Sequence, residues 1–135
     1  MQKLDCIVLI DDDEVTNFVH ESVIEEAEVA EGIWVAENGQ AALELIERRA
    51  AEQGGCPNLI FLDINMPVMN GFEFLRAYEK IKDEFTSPVV IVMLTSSLNP
   101  DDVAWARRAG VTEFLDKPLT ADKLRGIVSK HFASA

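Results

Sequence analysis

The chain is expected to fold as an α/β protein: a five-stranded parallel sheet, order 2-1-3-4-5, with five helices on its two faces. Three observations lead there. Apolar strand-like runs alternate five times with segments whose apolar residues recur at helical spacing. Two of the runs, Leu59–Leu62 and Val89–Leu94, are unbroken hydrophobe, the pattern of strands buried on both faces. Repeated βα units of this kind give a parallel sheet covered by helices.

In chain order, the first strand is placed at Leu4–Ile10. The first helix follows at Glu14–Glu28, with Val15, Phe18, Val19, Val23 and Ala27 forming the apolar stripe. A short second strand covers Ile33–Ala36. Asn38-Gly39 is a turn signal, and the second helix runs over Gln40–Gln53 until Gly54-Gly55 ends it. After the third strand, Leu59–Leu62, the third helix spans Gly71–Glu84, with Phe74, Leu75, Tyr78 and Ile81 at core spacing.

The fourth strand is Val89–Leu94. The fourth helix has the clearest start: Asn99 as cap, Pro100 at the first helical position, then Asp101 and Asp102 at the positive end of the dipole. Gly110 suits its end. Thr112–Asp116 is the fifth strand. Thr120–Phe132 is the fifth helix, capped by Thr120 and burying Leu124, Ile127 and Val128. Gly126 inside it has no evident reason.

A length of 135 residues suits one domain, 1–135 with its core at 4–132. A net charge of −12 argues against a nucleic-acid surface or a polybasic membrane anchor. No apolar run approaches the ~20 residues of a membrane span. The start carries no signal-peptide pattern, so a cytoplasmic location is expected. Cys6 and Cys56 lack CxxC partners and read as free structural thiols.

Four of the five strand runs end in residues able to hold a metal or a phosphate. Asp11-Asp12-Asp13 follows the first strand, Asp63 the third, Thr95 the fourth and Lys117-Pro118 the fifth. In an open parallel sheet, ligands bind beyond the carboxyl ends of the strands, and order 2-1-3-4-5 puts the switch point between strands one and three. Carboxylates gathered there repel by roughly 4 kcal/mol per pair at 4 Å and effective dielectric 20. Protonation or a cation must relieve them. Oxygen-only ligands suit Mg²⁺, and there is no His/Cys spacing for zinc.

Taken singly, each residue has an ordinary explanation: helix caps for the aspartates, a turn hydroxyl for Thr95, a solvated charge for Lys117. Together at one sheet edge they read as a site. Asp63 beside a cation can attack phosphorus to give an acyl phosphate. Thr95 can donate to a phosphoryl oxygen, and Lys117 can pair with the phosphate or, before it arrives, with Asp63.

These residues resemble the CheY-like receiver domain of two-component response regulators, a flavodoxin-like fold. The resemblance runs from about Leu4 to Phe132. It rests on the acidic pair, Leu62-Asp63-Ile64-Asn65-Met66-Pro67 with Asn70-Gly71, Thr95-Ser96, Lys117-Pro118, and Asn38-Gly39-Gln40-Ala41-Ala42-Leu43. It implies Asp63 as phosphoacceptor from a histidine kinase or histidine phosphotransfer protein. It implies Mg²⁺, with Mn²⁺ able to substitute, held by Asp12, Asp63 and the Asn65 backbone carbonyl, with Asp11 acting through a water. Asp13 is then the helix cap, and Thr95 and Lys117 bind the phosphoryl group.

The resemblance further implies a cis Lys117-Pro118 peptide and a switch in which Thr95 moves and Phe114 rotates. Output passes through the surface of helix four, strand five and helix five to a downstream protein target. Ser96 leaves room for phosphate access. Trp105, near that surface, is either helix–sheet packing or a partner anchor. The chain ends at Ala135, so a stand-alone receiver without an output domain is expected, a signalling protein rather than an enzyme. A haloacid-dehalogenase-type phosphatase would need a general acid where Asn65 stands. A receiver-like scaffold that is never phosphorylated is the other alternative. His20 is expected to be a surface or half-buried helical residue, and His131 to complement the dipole of helix five.

Overall fold

Strands that are apolar on both sides must be covered on both sides, and the computed structural model, which describes residues 3–53, 57–64, 66–81, 89–95 and 99–132, has that architecture. The elements are β1 (Leu4–Ile10), α1 (Glu14–Ala27), β2 (Ala30–Ala36), α2 (Gly39–Gln53), β3 (Leu59–Leu62), α3 (Gly71–Ile81), β4 (Val90–Thr95), α4 (Pro100–Arg108), β5 (Glu113–Asp116) and α5 (Ala121–Phe132). The sheet order is β2-β1-β3-β4-β5, with every described pairing parallel. Fold class and strand order are those expected from the sequence.

Alternation along the strands divides the core into two layers. Val8, Ile10, Ile60, Leu62 and Met93 face α2, α3 and α4, where they meet Ile46, Phe74, Leu75 and Ala106. Ile7, Leu9, Phe61, Val92 and Leu94 face the other way and pack with Ile24 of α1 and Leu124, Ile127 and Val128 of α5. Register levels the strand ends: Ile10 lies opposite Leu62, Leu62 opposite Met93, and Thr95 opposite Asp116.

Local chemistry sets the helix boundaries. Asp13 caps α1, its carboxylate accepting from the Val15 amide at 3.1 Å and the Thr16 hydroxyl at 2.7 Å. Glu28, in the left-handed region at φ 54°, closes that helix one residue earlier than expected. Asn38 accepts from the Ala41 amide at the start of α2. Asn70 and Glu73 form a reciprocal capping box at α3 (2.9 and 3.0 Å). Asn99 accepts from the Asp101 amide at 2.8 Å, and Pro100 opens α4. The Thr120 hydroxyl accepts from the Lys123 amide at 3.3 Å. His131, in the last turn of α5, lies 2.7 Å from Glu113 of β5, so its ring meets a carboxylate as well as standing at the helix end.

The expected stripe of α1 is where the fold departs from the sequence reading. Val15 and Phe18 are each 69% exposed and Val19 is also exposed; Val23 and Ala27 only flank the core. The inward face is Asn17, His20 and Ile24. Helical spacing was read correctly, but the rotation was chosen by apolarity. The first turns of α1 pack against the polar end of the sheet, where backbone groups need partners, and Asn17 and His20 supply them. His20 is thus fully buried, against the expectation of a surface or half-buried residue.

Smaller differences concern strand and helix ends. β2 begins at Ala30, ahead of Ile33, and β5 begins at Glu113. β4 is shifted by one residue to end on Thr95 itself. Residues 82–84 of the expected third helix, Gly54-Gly55, Cys56 and Ser96 lie outside the described residues. Cys6 is a buried free thiol. The Lys117-Pro118 peptide is cis. Among the described residues, no helix is long and apolar enough to cross a membrane.

Two glycines lead to opposite expectations. A Cβ on Gly71 would stand 2.5 Å from the Asp63 carbonyl oxygen, so the start of α3 approaches the end of β3 too closely for any side chain. A Cβ on Gly126 would meet nothing within 4 Å. Gly71→Ala is expected to destabilise the fold by about 1–3 kcal/mol through overpacking. Gly126→Ala is expected to stabilise it by about 0.5–1 kcal/mol, because the exposed helix interior gains a better helix former. Urea unfolding midpoints of the two variants check both signs.

Candidate functional site

Each polar residue at the sheet edge is placed by extending the strand ladder one step. The Asp11 amide donates to Ala36 O at 3.1 Å, the Asp63 amide to Ile10 O at 3.0 Å, and the Lys117 amide to Thr95 O at 3.0 Å. The backbone at these positions is therefore as fixed as the sheet, and the side chains project beyond it. Asp11, Asp12 and Asp63 each offer a carboxylate oxygen, all within 4.8 Å of one another. Asp11 and Asp63 are buried, at 4% and 7% exposure, while Asp12 is open to solvent.

Lys117 reaches into this cluster from the fifth strand. Its Nζ lies 2.6 Å from Asp11 Oδ2 and 3.3 Å from Asp63 Oδ1. The other Asp11 oxygen accepts from the Asp13 amide at 2.9 Å, and the Asp11 carbonyl accepts from Asn17 Nδ2 at 2.8 Å. Asp11 is therefore held from three sides, while the Asp63 carboxylate has the longer Lys117 contact and a backbone hydrogen bond from Ile64.

The charges behave accordingly. Burial pushes the Asp63 carboxyl above its ordinary range, and the neighbouring Asp11 charge adds to this; Lys117 only partly offsets the rise. Burial pulls the Lys117 ammonium down, but its contacts with Asp11 and Asp63 outweigh that and leave it above the usual lysine value. Three carboxylates against one ammonium leave surplus negative charge at the open side, beside Asp12. An oxygen-only donor set with excess negative charge and one solvent-facing member fits a hard divalent cation.

Thr95 ends β4 with its side chain buried at the same edge. Phe114 lies half-buried on β5, opposite Met93, with the Arg107 guanidinium 5.2 Å from its ring centroid. Trp105 packs edge-on against Phe72 at 4.6 Å, with Arg76 over its ring at 5.7 Å, so packing accounts for much of its surface. The structure thus brings Asp11, Asp12, Asp63 and Lys117 into one cluster, with Thr95 at its edge and Phe114 one strand away. Asn65 lies outside the described residues.

Sequence reasoning missed Asn17 and His20, which reach the site from α1. The available signal was their i, i+3 spacing continuing to Ile24, a stripe of mixed polarity competing with the purely apolar one.

The site can be set beside known proteins. Residues 7–129 match the family described as response regulator receiver domain. The chain is 31% identical over 129 residues to the two-component response regulator ORR41 of Oryza sativa subsp. japonica, covering 96% of this chain and 95% of that one. The crystal structure of a two-component response regulator from Cytophaga hutchinsonii superposes with a TM-score of 0.85 at 32% identity, covering 96% and 97% of the two chains. One from Legionella pneumophila gives a TM-score of 0.77 at 31% identity, covering 95% and 99%. With three carboxylates and a lysine assembled at the sheet edge of this fold, the chain belongs to the response regulator receiver domain family.

Proposed function

We propose that the protein is a phosphorylation-activated switch of a two-component phosphorelay, with Asp63 as phosphoacceptor. The observation that carries this reading is the Lys117 ammonium set between Asp11 and Asp63 beside a three-carboxylate cluster. Asp12 and Asp63 would hold Mg²⁺ through their carboxylates, with the Asn65 carbonyl and, through water, Asp11 as further ligands. Such an ion would supply the positive charge that offsets the surplus carboxylate charge and the phosphoryl oxygens.

Asp63 attacks the phosphorus of a donor phosphohistidine. A P–O bond forms, the P–N bond breaks, and the imidazole leaves with the electron pair. Burial raises the basicity of the Asp63 oxygen, and Lys117 lies nearer Asp11, so the nucleophile is not quenched by a tight ion pair. Lys117 then exchanges a carboxylate partner for the phosphoryl group, and the Thr95 hydroxyl donates to it. Movement of Thr95 makes room on the Phe114 side of β4 and β5, shifting a two-state equilibrium of the α4-β5-α5 surface. That surface engages a downstream protein. Asn65, two residues past Asp63, cannot act as a general acid, which disfavours turnover of external phosphate esters. The net charge of −12 supports a reading without a nucleic-acid surface or a polybasic membrane contact.

The same reading seats the phosphoryl donor on α1. Val15, Phe18 and Val19 form an exposed apolar patch on α1, whose first turn follows directly from Asp11-Asp12-Asp13. An apolar helix face of a histidine kinase or histidine phosphotransfer protein suits it.

With acetyl phosphate and Mg²⁺, the parent chain is expected to gain one phosphoryl group by intact mass and Asp63→Asn none; a normal mass shift in that variant would refute the assignment. Phe18→Ser is expected to slow transfer from the cognate kinase about tenfold, the scale of one ~1.4 kcal/mol contact, while leaving acetyl phosphate uptake unchanged. Equal effects on both donors would remove the patch from the docking account.

Asp63 also makes stability depend on pH. Its folded pKa lies above the ordinary 3.8, so the stability tied to its protonated form is fully present below that value and is lost as pH rises through the raised one. Asp63→Asn removes this loss. The variant is expected to melt above the parent at pH 7 without divalent cation, with the gap shrinking as the pH falls toward 4. Saturating Mg²⁺ should narrow the gap too, stabilising the parent by about 2.7 kcal/mol at a hundredfold excess over Kd. Thermal melts at several pH values, with and without Mg²⁺, check each sign.

A further inference from the structure

We propose that His20 is a positioning residue for Lys117: its imidazole pins the chain leaving β5 to α1 and thereby sets where the lysine ammonium reaches. The inference rests on the phosphoacceptor reading given above.

His20 is 2% exposed, at the boundary between the apolar layer and the polar strand ends. Ile24 follows it along the inward face of α1, and the small cavity it lines is shared by Leu9, Phe61 and Leu94 on one side and Asp11, Asn17 and Asp63 on the other. A histidine placed there must have a partner, because a buried polar group is costly unless it is hydrogen-bonded. The partner is the Leu119 amide, which donates to His20 Nε2 at 3.1 Å across 99 residues of sequence. A ring nitrogen that accepts carries no proton, so the imidazole is neutral with its proton on Nδ1. Burial, which depresses its pKa, favours the same state.

Leu119 is two residues beyond Lys117. The Lys117 amide is fixed to Thr95 O, and Pro118 has no amide to offer. The next backbone donor after Lys117 is therefore the one His20 holds. The Leu119 side chain is itself buried in the α1/α5 layer. From the solvent side, Lys123 Nζ binds the carbonyls of Asp116 and Pro118, an exposed restraint that complements the buried one.

One turn earlier on the same face of α1, Asn17 donates to the Asp11 carbonyl. The helix thus holds both members of the Asp11–Lys117 pair, and their 2.6 Å separation leaves little latitude for either to drift. A cavity of about 10 Å³, the room of roughly one water, lies between these struts and Asp63. Loosening the Leu119 strut therefore acts next to the phosphoacceptor, while the carboxylates that would bind the cation keep their own backbone supports.

His20→Leu removes the acceptor and keeps the bulk; His20→Gln offers an amide oxygen at comparable reach. On the full chain, Mg²⁺ affinity is read first by tryptophan fluorescence, then beryllofluoride affinity at saturating Mg²⁺. His20→Leu is expected to bind beryllofluoride about 10- to 100-fold more weakly, the scale of an ångström-level misplacement. Its Mg²⁺ affinity should stay within about twofold, and His20→Gln should recover most of the loss. Unchanged beryllofluoride affinity in His20→Leu, parallel loss of both affinities, or failure of the folded Gln variant to recover would each overturn the proposal.

A parent chain that takes up no beryllofluoride would instead overturn the phosphoacceptor reading on which the proposal stands. The bond itself is read in the parent as a scalar coupling between the Leu119 amide nitrogen and His20 Nε2. Its absence would overturn the proposal whether or not the leucine variant folds.

Discussion

The interaction on which the site depends is the Lys117 ammonium shared unequally by two buried carboxylates. Two aspartates at 4% and 7% exposure within a few ångströms would not both stay ionised unaided. One ammonium compensates for one of them, and it sits closer to Asp11 by 0.7 Å, the difference between 3.3 and 2.6 Å. Asp11 is further supported by the Asp13 amide, while Asp63 keeps a raised pKa. The inequality separates the two: one carboxylate is satisfied, and the other is left available for the role proposed for it. A fold that neutralised both equally would be more comfortable and less useful.

The sheet makes that inequality possible. Parallel strands in register end at one level, and the amides of Asp11, Asp63 and Lys117 each extend a ladder by one bond. The close approach of Gly71 to the Asp63 carbonyl clamps the third strand end from above. Backbone positions are consequently rigid, and the charge distribution can be set by side-chain reach alone. Under the proposed function, a short lysine displacement would suffice to exchange a carboxylate for a phosphoryl oxygen.

Much of this was legible in the sequence because it is written locally. The unbroken apolar runs of β3 and β4 give the parallel sheet, and the polar residues at four of the five strand ends give the candidate site. Asn99-Pro100 gives the start of α4 to the residue. The stripe of α1 was not legible, since a helix shows its period in the sequence but not its rotation against a neighbour that has yet to fold. Apolarity is the usual guide to that rotation, and here the polar strand ends override it. The partners of Asn17 and His20 are backbone groups of Asp11 and Leu119, which leave no trace in residue type. Gly71 shows the same limit: its motif was visible, but not the carbonyl that forbids a side chain.

Both unusual features of α1 follow from that single rotation. Turning Asn17 and His20 inward to brace the site turns Val15 and Phe18 outward, so the helix begins with its polarity inverted. The inward cost is met in part by hydrogen bonds to buried backbone groups, while Asn17 Oδ1 is buried without a hydrogen-bond partner among the described residues. The outward cost is an apolar surface beside the acidic cluster, and exposed apolar patches ordinarily mark a contact for another molecule. A net charge of −12 keeps such a surface from joining copies of the chain indiscriminately. A partner on that surface would combine apolar contact with tolerance of that charge, which under the proposed function selects for a dedicated donor rather than any exposed hydrophobe. Bracing the site and presenting it are then the two faces of one helix.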